Sequence, residues 1–125
     1  PAICDKIQDL IIRRPCYRQI ATAKQDPSVC DRIHEEEDKD RCYSCVAIAK
    51  EDLSVCNKIQ DYGVKDICYR GVAVARQDLL ICNKIRCRNT KNSCYRMLAV
   101  KKEDPAICDK IGDQDMKDEC YAQFE

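Results

Sequence analysis

Two cysteines recur every 26 residues along the whole chain, with no residue inserted or lost between copies. Written from residues 1, 27, 53, 79 and 105, the copies open PAICDKI, PSVCDRI, LSVCNKI, LLICNKI and PAICDKI. Twelve positions after each first cysteine stands a Cys-Tyr pair: Cys16-Tyr17, Cys42-Tyr43, Cys68-Tyr69, Cys94-Tyr95 and Cys120-Tyr121. A fixed period in this range marks a repeat architecture, in which each copy is one supersecondary element that buries its apolar face by stacking on its neighbours. The chain is therefore expected to be a single repeat domain with repeats 1–26, 27–52, 53–78, 79–104 and 105–125. Such a thin, linear core argues against one deep active site.

Within a repeat, the residue types place two helices. Position 26 is Asp at each complete junction (Asp26, Asp52, Asp78, Asp104), and position 1 is Pro in repeats 1, 2 and 5. Asp followed by Pro is an N-cap followed by the first helical residue, where the missing proline N–H is not needed. A first helix is predicted over about positions 1–8, with apolar residues at positions 3, 4 and 7, as in Val29, Cys30 and Ile33. Positions 9–13, such as EEEDK at 35–39 and CRNTK at 87–91, read as the turn. Asp or Asn at position 14 (Asp40, Asp66, Asn92, Asp118) reads as a second N-cap, and Arg14-Pro15 takes that place in the first repeat. The second helix carries apolar residues at positions 16, 17, 20, 21 and 23 in one broad stripe, with a cation near its C-terminus. The alanines at position 21 (Ala21, Ala47, Ala73, Ala99) allow close helix approach, and the position-17 tyrosines are expected to supply core bulk.

Twelve cysteines in 125 residues is the density of a disulfide scaffold, which belongs to an oxidising compartment. Within a repeat, both cysteines fall on the apolar faces of antiparallel helices joined by a short turn. Their Cα atoms can then lie within the roughly 4.4–6.8 Å that a bridge requires. The pairs expected are Cys4–Cys16, Cys30–Cys42, Cys56–Cys68, Cys82–Cys94 and Cys108–Cys120. The rival scheme joins position 16 to position 4 of the next repeat, and would leave Cys4 and Cys120 unpaired. Cys45 and Cys87 fall outside the period and are candidates for an extra or an interchain bridge. The fold class that follows is an all-α solenoid of five short helical hairpins, each stapled by a disulfide.

The remaining chemistry is sparse. Net charge is zero, which gives no footprint for nucleic acid, and no apolar run is long enough to span a membrane. The single histidine, His34, reads as a solvated surface residue. Cys42-Tyr-Ser-Cys45 has C-x-x-C spacing, but Cys42 is a repeat position and is expected to be bridged rather than redox-active. Paired C-x-x-C knuckles are missing, which argues against structural zinc. No phosphate-loop, dinucleotide or nucleophile-elbow motif occurs, and there are only three glycines. A non-enzymatic protein without a cofactor is expected.

Lys/Arg minus Asp/Glu gives +2, −4, +1, +5 and −4 for the five repeats in order. The first and last repeats carry apolar residues where a solvent-facing cap would be polar, among them Ile7, Ile107, Ile111 and Phe124. Opposite end charges and apolar end faces suggest head-to-tail self-association, a heterologous contact that does not have to close and so can build a filament or array. The alternative is a monomeric solenoid that binds a protein or peptide, with Lys84, Arg86, Arg88, Lys91, Arg96, Lys101 and Lys102 as a positive strip for an acidic partner. The start at Pro1, without a Met or a signal peptide, reads as a processed chain or a piece of a longer repeat protein.

The pattern D-P-x-x-C-D-K-I, then K-D-x-C-Y-x-x-x-A, resembles cysteine-bearing tandem repeats in secreted proteins of archaea. The hairpin itself is similar to a compact tetratricopeptide or Sel1-like unit with a shorter period. The resemblance covers the entire chain and implies an extracellular or cell-surface setting, with no reaction attached to it. Repeat 1 departs from it at Arg14-Pro15, and repeat 4 at Cys87 and Lys101.

Overall fold

Repeats 2 to 5 each fold as a very short first helix followed by a longer second one, and the first helix expected over residues 1–8 lies outside the described residues. The computed structural model describes Cys4, Lys6 and residues 10–125, the side chains of 10–14 excepted. In chain order the elements are α1 (Leu10–Lys24), η1 (Pro27–Arg32), α2 (Glu36–Lys50), α3 (Leu53–Cys56), α4 (Tyr62–Arg76), α5 (Leu79–Cys82), α6 (Arg88–Lys101), η2 (Pro105–Lys110) and α7 (Gln114–Ala122). Among the described residues every element is helical, η1 and η2 being 3-10 turns, so the chain is all-α. It forms two compact units, Pro1–Cys68 and Tyr69–Glu125, with the boundary inside α4. In the first unit α1 packs on η1 and α2, and α2 packs on η1 and α3. In the second, α6 packs on α5, η2 and α7, and α7 packs on η2.

The predicted first helix begins where expected and ends early. Asp26, Asp52, Asp78 and Asp104 each accept from the backbone N–H two residues on, at 3.0–3.1 Å. The element then lasts four to six residues rather than eight. The isoleucine at position 7 leaves the helix, with extended backbone at Ile33 (ψ 130) and Ile111 (ψ 124). That geometry turns its side chain into the core, where Ile33, Ile59, Ile85 and Ile111 are all buried.

The second helix corrects the sequence reading more strongly. It starts at position 10 in every repeat, so the stretches 35–39 and 87–91 are an N-cap and a first turn instead of a loop. Asp61 accepts from Gly63 N at 2.7 Å and Val64 N at 3.2 Å, and Asp113 accepts from Met116 N at 3.0 Å. These position-9 residues do the capping that position 14 was expected to do. Glu36, Glu37 and Asp38 then lie in the first turn of α2, where the helix dipole favours carboxylates. Pro15 lies inside α1, not at its first residue. It removes one intrahelical N–H bond, and α1 still runs through it.

What position 14 does is join repeats. Asp40 and Asp66 are 2% and 3% exposed and Asn92 is 3% exposed, each well inside a long helix. The Asp40 carboxylate accepts from Gln60 N and Asp61 N of the following repeat, both at 3.1 Å. These two amides precede α4 and have no turn of their own to pair with. A buried carboxylate holding two N–H groups is satisfied on both oxygens, which is the condition for tolerating such a group inside a protein. The Asn92 side chain donates to the Met116 sulfur of the following repeat at 3.7 Å, a weaker link that starts from the same position in the second unit.

The long helices of repeats 1 to 4 end the same way. Gln25, Glu51, Gln77 and Glu103 take left-handed backbone, with φ of 52–55°. The next N–H reaches back five residues, as in Asp52 N to Ala47 O and Asp104 N to Ala99 O, both at 2.9 Å. This is a Schellman closure whose last residue is already the N-cap of the next repeat, so one helix stops and the other starts without a loop. At 0% exposure are Ala21, Val46 and Ala47 in the first unit and Val72, Ala73, Leu98 and Ala99 in the second, together with the buried cysteines of each.

Removal of the Asp40 acceptor should leave two donors stranded. Asp40→Ala is expected to lower unfolding free energy by about 2–4 kcal/mol, and Asp40→Asn by about half of that, as read from urea midpoints. Deleting the Cys82–Cys94 bridge by a double alanine substitution should lower it by about 3 kcal/mol under non-reducing conditions, and the difference should vanish once both proteins are reduced.

Candidate functional site

The ten periodic cysteines pair within repeats. Cys4–Cys16, Cys30–Cys42, Cys56–Cys68, Cys82–Cys94 and Cys108–Cys120 are disulfides, with Cα–Cα distances of 5.6–5.8 Å. Position 4 ends α3 and α5 and lies inside η1 and η2, and position 16 lies in the second turn of the long helix, because that helix starts earlier than the sequence suggested. Cys45 and Cys87 belong to none of these bridges. Cys45 is half-buried on α2. Cys87 is exposed at the N-cap of α6, where its side chain makes no capping hydrogen bond. His34 is exposed between η1 and α2. Among the described residues no group of three or more His, Cys, Asp or Glu side chains is placed to hold a metal ion. Among them also, no helix is long and apolar enough to cross a membrane.

The position-17 tyrosines are core residues with one polar attachment. Tyr17, Tyr43 and Tyr95 are buried, and Tyr69 and Tyr121 half-buried. The hydroxyls of Tyr43, Tyr95 and Tyr121 donate to Asp31, Asn83 and Asp109, the position-5 side chains of the same repeats. The bond runs parallel to the disulfide and ties the same two helices. Burial, then the hydrogen bond to Asp31, pushes the Tyr43 phenol well above its ordinary value. Burial raises Tyr95, and the bond to Asp109 is the main cause of the rise at Tyr121. Lys58 places its ammonium 6.0 Å from the centre of the Tyr43 ring.

Two grooves have distinct chemistry. In the first unit, Glu36, Glu37, Arg41 and Asp61 line one of about 410 Å3, and the Arg41 guanidinium is held by Glu37 at 3.0 Å. In the second unit a groove of about 470 Å3 forms where α4, α6 and η2 end. Arg76, Lys102 and Lys110 line it beside Leu79, Leu80 and Asn83. Of the seven strip residues read from the sequence, Lys102 alone lines this groove, and Arg76 and Lys110 join it from the neighbouring repeats. The signal for it is in the sequence nonetheless: positions 24 and 6 are basic in every repeat that contains them. Helix C-termini favour cations, and that accounts for Arg76 and Lys102 at the ends of long helices.

Comparison with protein-family models, curated proteins and solved structures gave no match.

The tyrosine bonds make a pH prediction. A phenol whose folded pKa is raised contributes stability that is complete below the unfolded value near 10 and is lost as pH rises through the folded one. Ellipticity should therefore hold to about pH 10 and fall above it. In Tyr43→Phe the alkaline transition should be shallower, whatever that substitution does at neutral pH.

Proposed function

We propose that this is a non-enzymatic, disulfide-stabilised structural repeat protein of an extracellular or cell-surface compartment, whose copies assemble head to tail. One observation carries the assembly. Position 20 is fully buried as Val46, Val72 and Leu98, whereas in repeat 5 it is Phe124, 37% exposed. Position 14 changes with it, from buried Asp40, Asp66 and Asn92 to exposed Asp118. Asp118 accepts only from Gln114 of its own helix, at 2.8 Å, where Asp40 accepts two backbone amides of the next repeat. Repeat 5 thus exposes the equivalents of the Asp40 acceptor and of the apolar side chain that is buried in repeats 2 to 4.

In a second copy of the chain, Gln8 and Asp9 are the sequence equivalents of Gln60 and Asp61. Repeat 5 sums to −4 and repeat 1 to +2, so approach in this order brings opposite charges together. The contact uses different surfaces on the two copies, and growth need not stop at two. The five bridges favour an oxidising setting, where they persist. The basic groove of the second unit favours a second role beside assembly, the engagement of an acidic partner.

Light scattering coupled to size exclusion tests the assembly. Wild-type mass should rise with protein concentration, and Phe124→Glu and Asp118→Lys should hold the chain monomeric with unchanged circular dichroism. A wild-type mass that stays monomeric at high micromolar concentration ends the proposal.

A further inference from the structure

We propose that the groove at the C-terminal ends of α4, α6 and η2 binds an acidic peptide segment that carries apolar side chains between its carboxylates. The argument starts from what the lining can offer. Arg76 and Lys110 present charged donors at the exposed surface of the second unit. One N–H of the Lys102 ammonium goes to Gln77 O at 3.2 Å, which leaves its other donors. The Asn83 side-chain oxygen accepts the Tyr95 hydroxyl, which orients the amide and leaves its N–H groups as donors for a ligand. One carboxylate lines the groove, Asp78, and it is engaged: it accepts from Leu80 N at 3.0 Å and lies 4.0 Å from the Arg76 guanidinium. A cavity lined this way selects a ligand rich in acceptors and negative charge.

The apolar lining narrows the class. Leu80 is 73% exposed, the most exposed of the described large hydrophobic residues, and Leu79 stands beside it. A polyphosphate or a sulfated glycan has nothing to place on these side chains. A peptide that alternates carboxylates with aliphatic residues covers the leucines and reaches the cations together.

The pair of cations has a counterpart in the first unit, where Pro27 and Ser28 stand in place of Leu79 and Leu80. Lys24 and Lys50 occupy the same repeat positions as Arg76 and Lys102. Both sit close enough to the N-cap Asp26 to help hold its carboxyl below the usual range, after the larger effect of the Ser28 hydrogen bonds. The proposal is independent of head-to-tail assembly, since Asp118 and Phe124 take no part in the groove.

The experiment is fluorescence anisotropy with a short fluorescein-labelled peptide of glutamate and leucine, on the oxidised chain, at low and moderate salt. Binding is expected, with Arg76→Glu and Lys110→Glu each weakening it about tenfold and Leu80→Ser weakening it less. Arg88→Glu makes the same charge change at the opposite end of α6 and should leave affinity unchanged. Lys110 is exposed, so its variant keeps the test valid should Arg76→Glu fail to fold. No binding by the wild-type chain overturns the proposal. An Arg88→Glu loss as large as the other two overturns it as well, because it would mean attraction to overall charge. Displacement of the peptide by heparin or polyphosphate, with equal heparin affinity in wild type and Leu80→Ser, replaces the acidic peptide by a polyanion and overturns it too.

Discussion

The bridge between the fourth and sixteenth residues of a repeat is what lets the first helix exist. In α3 and α5 that element is one turn of four residues, far below the length at which a helix holds in water. Its apolar contribution is small, a Val or Ile at position 3 and an Ile at position 7. The disulfide removes much of the chain entropy that would otherwise keep so short a segment open. The tyrosine hydroxyl bond to position 5 then fixes the direction of the element about that anchor. With the hairpin held from two points, an aliphatic residue at position 20 and an alanine at position 21 are enough to pack neighbours in repeats 2 to 4, and no Trp is needed.

The hairpin, its staple and the all-α class were legible because each rests on a residue type with few roles. A cysteine pair at constant spacing in an oxidising scaffold has one main use, and Asp before Pro is a strong helix start. Position 14 was misread for an instructive reason. An Asp or Asn followed by an apolar stripe fits an N-cap, and the sequence alone does not show that the carboxylate faces amides some 20 residues ahead. The distinction lies in the three-dimensional join: Gln60 and Asp61 bring donors that only a neighbouring repeat can satisfy. The position-25 residues were equally opaque. Nothing in a Gln or Glu signals left-handed backbone, which is usually a glycine's task, and the Schellman closure imposes it.

The two long-range polar devices differ in what they leave behind. The Asp40 carboxylate is shut inside the join and fully used, so it adds stability and register to the stack. Lysines at the helix ends reach across to backbone carbonyls as well, Lys101 to Val74 O at 3.0 Å and Lys102 to Gln77 O at 3.2 Å, but from the solvent side. An exposed ammonium that holds one carbonyl contributes little to stability and keeps most of its charge available.

That contrast separates the proposed roles in terms of sequence position. Positions 14 and 20 bring repeats together, and a change there alters stacking and any contact that imitates stacking. Positions 6 and 24 lie at helix ends in solvent, and a change there alters the field over the groove while the hydrophobic core is untouched. A repeat protein built this way can lengthen by adding copies and alter its partner by changing surface side chains, because the staple that stabilises each hairpin shares no residue with either surface.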